Sequence, residues 1–195
     1  MIPVVRVVRS PAEGPYHGSM RVVSLLPSAT EVLCAIGAED LLVGRSHECD
    51  HPASVADRPI LTAARITSGT SAEIDREVKE SLGSGDATSL YRLDTEALRA
   101  LEPDVILTQD LCEVCSIDLE TVRGVAAGMA RPPRIVSLDP DTVWDVLDDL
   151  LEVGRAVGRE AEAEAAMVAA REAYWTAVDF VNPYVPRSEE HTSEL

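Results

Sequence analysis

The chain has 195 residues, enough for one ordinary domain with a real core or for one domain and part of another. Acidic side chains outnumber basic ones by 34 to 17, for a formal net charge of −17. A nucleic-acid surface needs a basic stripe, so that partner is excluded. No apolar run approaches the roughly 20 residues that cross a bilayer, and membrane insertion is not expected.

In chain order, residues 1–19 show no clear period, and Met20 stands directly before the first β-branched run. Met1–Ser19 lacks the apolar stretch and cleavage site of a signal peptide, so residues 1–19 are expected to be an unstructured leader or a mis-start. Arg21 to Leu25 reads as a strand ending in a turn at Pro27. Ser28 and Glu31 have capping-box spacing for a helix to Ile36, which Gly37 stops. Leu41 to Arg45 is a second strand leading into Ser46-His47-Glu48-Cys49-Asp50-His51-Pro52, and Pro59-Ile60-Leu61 a third, short one. Thr70 and Glu73 open a helix to about Leu82, followed by a turn at Gly83–Asp86.

Asp94 caps a short helix through Leu101 with Ala97, Leu98 and Leu101 on one face, and Pro103 ends it. Asp104 to Thr108 is a continuous apolar run, the pattern of a buried parallel strand. It leads into Gln109-Asp110-Leu111-Cys112-Glu113-Val114-Cys115. A helix over Leu119–Met129 and a strand over Arg134–Leu138 follow. Asp141 opens an amphipathic helix with an apolar stripe of Val143, Val146, Leu147, Leu150, Leu151 and Val153. Gly158 interrupts it before a long helix from about Glu160 to Val181. Strands alternating with helices predict an α/β fold, a parallel sheet with helices on both faces.

Ligands in such a sheet bind just beyond the carboxyl ends of the strands. Both thiol-rich segments follow strands, so His47, Cys49, Cys112 and Cys115 are expected to share one crevice. Imidazole and thiolate together suit a soft metal such as zinc or an iron–sulfur centre. Cys112 and Cys115 also have the spacing of a redox pair, and a thiol-lined pocket for an organic ligand or plain packing stays open beside these. Ser28, at a helix N-terminus facing the crevice, is either a plain cap or an anion contact. Cys34 is expected to be a small core side chain and Trp144 to pack on the sheet. Tyr174, Trp175 and Phe180 are expected to form an exposed apolar patch. No phosphate loop, dinucleotide fingerprint or nucleophile elbow is present, and no enzyme activity is expected.

Four segments carry a resemblance. They are Arg21 to Glu31, Leu42-Val43-Gly44 leading to Asp50-His51-Pro52, Leu101-Glu102-Pro103-Asp104-Val105-Ile106-Leu107, and Val136-Ser137-Leu138-Asp139. Together they resemble the N-terminal lobe of the periplasmic-binding-protein family for vitamin B12, haem and iron–siderophores. The cobalamin-binding branch is the nearest, over residues 20 to about 181. The resemblance implies the N-terminal lobe of a two-lobed class III solute-binding protein plus a long interlobe helix. Residues 20–159 would be the ligand-binding lobe and 160–181 the connecting helix. Residues 182–195 would be a non-native tail, with the second lobe missing; Arg187–Leu195 resembles a translated sequencing adapter.

The resemblance also implies cobalamin as ligand; the contacts expected here are Ser28, His47, Glu48, Cys49, Gln109, Cys112 and Cys115, with no resident metal. It implies docking of Glu96 on an ABC transporter permease, with the protein acting as a monomer. Glu48 and Gln109 stand where better-known carriers place rings that stack on the corrin. That leaves open direct coordination of a ligand-borne metal by imidazole or thiolate. The competing expectation is a metal-binding or redox protein using Cys49, Cys112, Cys115 and His47. Without a signal peptide the compartment is the cytoplasm; with a different true N-terminus it is periplasmic or extracytoplasmic.

Overall fold

The computed structural model describes residues 19–64, 91–110 and 119–181. The described strands are β1 (Val22–Ser24), β2 (Leu42–Arg45), β3 (Thr62–Ala64), β4 (Tyr91–Leu93), β5 (Val105–Thr108) and β6 (Arg134–Ser137). The described α-helices are α1 (Pro27–Ala35), α2 (Thr95–Ala100), α3 (Leu119–Ala127), α4 (Val143–Val157) and α5 (Glu160–Val181). The helix expected from Thr70 to Leu82, the turn after it and the second cysteine segment from Leu111 lie outside the described residues. So do the tail from Asn182 and all but the end of the leader.

Four strands form a parallel sheet in the order β2-β1-β5-β6. Val22 stands beside Leu42 on one side and Val105 on the other, and Ile106 beside Ile135. Side chains alternate across the pleat, so consecutive apolar residues serve two cores. Val22, Val105, Leu107 and Val136 face one way, against Leu33 of α1, Leu150 and Val153 of α4 and Ala163 of α5. Val23 and Ile106 face the other way, against Leu98 of α2 and Val122 and Val125 of α3. Each fully buried large aliphatic contributes roughly 1.5–3 kcal/mol, which is why the four short strands are held without long ladders. At the amino ends, the Asp104 carboxylate accepts from Arg21 N–H (2.9 Å) and from Arg131 (3.0 Å). Arg134 N–H donates to the Asp104 carbonyl at 2.8 Å, so one residue ties β1, β5 and β6 together.

Several local expectations are corrected. Helix α1 starts at Pro27, with Leu26 in the cap position and no side-chain cap, so Ser28 is an exposed residue of the first turn rather than the cap. Proline at the first helical position has its φ already set and lacks the N–H that a cap would satisfy. The helix ends as expected: Gly37 is left-handed at φ 68°, and Ala38 N–H reaches back to the Leu33 carbonyl (3.0 Å). The third strand is displaced to Thr62–Ala64, and Ile60 makes only an isolated bridge to Arg45. It pairs antiparallel with β4, which sequence reading did not anticipate. Helix α4 is capped by Thr142, not Asp141, in a capping box with Asp145. Val143 and Val146, assigned to its apolar stripe, are exposed. Trp144 does not pack on the sheet. Its ring meets Tyr174 (5.4 Å between centroids) and Trp175 (6.0 Å) of α5, and Trp175 and Phe180 are exposed.

Candidate functional site

The chain leaves β1 toward β2 on one side and later returns to place β5 and β6 on the other. The order therefore reverses between β1 and β5, and the crevice of such a sheet lies outside the carboxyl ends at that point. Ser24 and Thr108 end their strands here and Ser46 directly follows β2; all three are buried, as are Thr30 and Thr62. Buried hydroxyls need partners: Thr30 Oγ1 lies 2.8 Å from Ser24 Oγ, and Ser46 Oγ 2.8 Å from Thr62 Oγ1.

The loop after β2 is built around Arg45, itself only 7% exposed. Its guanidinium donates to the carbonyls of Ser46 (3.2 Å), Cys49 (2.9 Å) and Ala56 (3.0 Å). That holds the His47–Pro52 segment against the sheet. On top of it, His47 is anchored twice on one oxygen: its N–H donates to Thr62 Oγ1 (2.9 Å), and its ring Nδ1 lies 2.6 Å from the same atom. Ser46 Oγ lies 2.8 Å from Thr62 Oγ1 and accepts from Glu48 N–H at 3.3 Å. The ring packs at a tilt on Tyr91, 5.2 Å between centroids. Its other nitrogen, Nε2, is enclosed and has no hydrogen-bond partner among the described residues. Glu48 Oε1 lies 3.2 Å from it. That carboxylate is close enough for attraction but is not aligned as an acceptor. The Glu48 side chain is 55% exposed, so it covers Nε2 without being fixed there.

Cys49 lies beneath this layer. It has no exposed surface, and its sulfur is 3.1 Å from Thr30 Oγ1, which also lies 2.8 Å from Ser24 Oγ. Burial pushes the thiol above its ordinary pKa, against the hydrogen bonds from Thr30 and Ser46 and the charge of Arg45. The thiol therefore stays protonated at neutral pH. Cys34 is half-buried on α1, as expected of a small core residue, and burial together with Glu39 and Glu31 raises its pKa to about 11.

Among the described residues, then, His47, Glu48 and Cys49 come together on one loop, with Cys49 as its floor. Ser28 is exposed and Gln109 half-buried on the same rim, without a hydrogen bond to His47. Cys112 and Cys115 lie outside the described residues, so their convergence with Cys49 stays an expectation. No group of three His, Cys, Asp or Glu side chains is gathered as metal donors among the described residues. Glu96 is exposed in the first turn of α2, which Asp94 caps by accepting from Ala97 N–H at 2.9 Å. Arg45, Ser46, Thr62 and Tyr91 were not singled out from sequence. Thr62 had one signal, its place immediately after the Pro59-Ile60-Leu61 run.

No protein-family profile matches the chain. No curated protein matches it. Solved structures do. The periplasmic haem-binding protein HutB of Vibrio cholerae superposes with a TM-score of 0.60 at 19% identity, covering 87% of this chain and 53% of that one. The periplasmic haem-binding protein RhuT from Roseiflexus sp. RS-1 gives 0.58 at 22%, over 85% and 53%. The periplasmic vitamin B12-binding protein BtuF of Vibrio cholerae gives 0.57 at 18%, over 83% and 51%. The α/β fold is that of these solute-binding proteins, and the chain spans about half their length. No helix among the described residues is long and apolar enough to cross a membrane.

Proposed function

We propose that this chain is the ligand-binding N-terminal lobe of a solute-binding protein that captures a metal-bearing tetrapyrrole, cobalamin or haem, for an ABC-type uptake system. It acts as a carrier, not a catalyst. One observation carries the reading: at the reversal of strand order, a histidine is held by Nδ1 while Nε2 is enclosed, unbonded and covered only by an exposed glutamate. Neutral imidazole in that state is a good donor to a metal, and a partner on the second nitrogen is the usual way proteins orient such a ligand.

His47 is then the metal-facing residue, and Glu48 is the group that swings aside. Ser28 and Gln109 border the ligand from the same rim. Cys112 and Cys115, which follow β5 in sequence, are further candidate contacts. Cys49 supports the loop from below. Residues 20–159 form the lobe, and α5 leads toward the second one. Glu96 docks on a cationic permease surface, and the working compartment is extracytoplasmic, as for the periplasmic neighbours. The cytoplasmic expectation gives way to this.

Titration with haemin and with hydroxocobalamin, followed by visible absorption, tests the proposal. A band shift with one of them is expected, at weak affinity because about half of the neighbours' length is present. His47→Ala should abolish the shift and Cys49→Ala should leave it. Wild-type protein that gives no shift at saturating concentrations of either ligand rules the reading out.

A further inference from the structure

We propose that Thr62, backed by Ser46, is a positioning residue that decides which nitrogen of His47 carries the proton, and so whether the ring can bind a metal. The metal-binding part of this rests on the reading above. The proton placement itself does not.

A threonine hydroxyl has one proton and two lone pairs. Thr62 Oγ1 has three polar neighbours: the His47 N–H at 2.9 Å, His47 Nδ1 at 2.6 Å and Ser46 Oγ at 2.8 Å. The backbone N–H takes one lone pair. One lone pair and one proton remain for the other two neighbours, and only two arrangements use both. In the first, Ser46 donates to Thr62 and Thr62 donates to Nδ1. The ring proton is then on Nε2, 3.2 Å from Glu48 Oε1. In the second, Nδ1–H donates to Thr62, and Thr62 donates to Ser46. Nε2 then holds a lone pair. The two arrangements contain the same number of protons. Passing from one to the other, Nε2 gives up a proton to solvent past the exposed Glu48, Nδ1 gains one from solvent, and both hydroxyls rotate.

In the first arrangement the Nε2 proton lies near the Glu48 carboxylate without the alignment of a hydrogen bond. The second is the binding one, because coordination needs a lone pair. Ser46 is 4% exposed and Thr62 6%, so bulk water does not replace either hydroxyl. Ser46 matters to both arrangements: without it the first loses a donor to Thr62, and the second loses the acceptor of the Thr62 proton.

The test is 15N-histidine NMR on the ligand-free 195-residue chain, paired with haemin titration. Wild-type His47 should show one defined tautomer. Ser46→Ala should move its shifts toward those of an averaged pair and weaken haemin binding. Thr62→Val should bring the His47 shifts to those of an unconstrained histidine, with a loss of about tenfold or more in affinity, the usual range for an orienting partner of a metal ligand. Thr62→Ser should restore both. If Thr62→Val does not fold, the Ser46→Ala and Thr62→Ser spectra decide. Unchanged His47 shifts in folded Thr62→Val, or in Ser46→Ala, overturn the proposal. Haemin binding absent in wild type sinks the proposed function alone, since the ligand-free spectra still judge Thr62.

Discussion

Arg45 carries a charge into the interior and meets carbonyl oxygens there, with no carboxylate within ion-pair distance among the described residues. Three carbonyls of the His47 loop depend on it. Hydrogen bonds from a charged donor contribute about 1.5–3 kcal/mol each, and removing the donor leaves acceptors stranded. Arg45→Met should therefore lower the unfolding free energy by about 2–4 kcal/mol, read from urea denaturation, and speed amide exchange across residues 46–56. A loss under about 0.5 kcal/mol would mean that the loop holds itself. The site was legible in sequence only at this loop's reactive end. His47, Glu48 and Cys49 announce themselves by residue type. Arg45 reads as one more surface arginine, and Thr62 as an ordinary strand residue, because their roles come from partners up to 16 positions away in the folded loop. The depth of Cys49 was invisible for the same reason: a polar loop gives no sign that an arginine will draw its middle inward.

Helices α4 and α5 form a tight hairpin that turns at Gly158, left-handed at φ 70°. Their approach depends on Gly154, where a Cβ would collide with Ala163 Cβ and stand 3.1 Å from the Arg159 carbonyl. Gly124, in the middle of α3, has nothing within 4 Å of that position. The same substitution should thus have opposite signs. Gly154→Ala should destabilise by about 1–3 kcal/mol through overpacking. Gly124→Ala should stabilise by up to about 1 kcal/mol through helix propensity. Paired thermal melts check both, and equal shifts would show that helix approach is not set by Gly154. Elements bounded by punctuation were readable in this way. The run from Val105 to Thr108, the stop at Gly37 and the break at Gly158 all follow from local chemistry. Strand β4 was not readable, because three residues ending at the cap Asp94 show no alternation, and what makes them a strand is pairing with β3. Ser28 misled because capping-box spacing counts residues, and Pro27 had already opened the helix.

The whole molecule has a formal charge of −17, and α4 contributes the carboxylates Asp145, Asp148, Asp149 and Glu152 to it. Asp149 is half-buried there, and its pKa is pushed up to about 7, first by burial and then by Glu152, Asp145, Asp148 and Asp139. Burial likewise raises Glu152, against the pull of Arg134 and Arg155, and raises Asp139, with Asp141 and Asp110 adding to it. A carboxyl whose pKa is higher folded than unfolded binds more protons in the native state between the two values. Its contribution is therefore present below the unfolded value and lost as pH rises through the folded one. For Asp149 that window runs from 3.8 to about 7. Asp145 acts in the opposite sense, since the Thr142 hydroxyl and backbone N–H lower its pKa, but its loss begins only below its ordinary 3.8. The chain should accordingly be more stable near pH 5 than at pH 8, by on the order of 1–2 kcal/mol once solvent screening of a half-buried group is allowed for. Salt should reduce the slope without removing it, because ions screen the neighbouring carboxylates but not the cost of burial. Asp149→Asn should flatten the profile and raise stability at pH 8. Urea midpoints at pH 5, 7 and 8 for both proteins, in low and high salt, measure this. A wild-type midpoint that rises from pH 5 to pH 8 would show that the carboxylates of α4 are solvated and paired, not crowded.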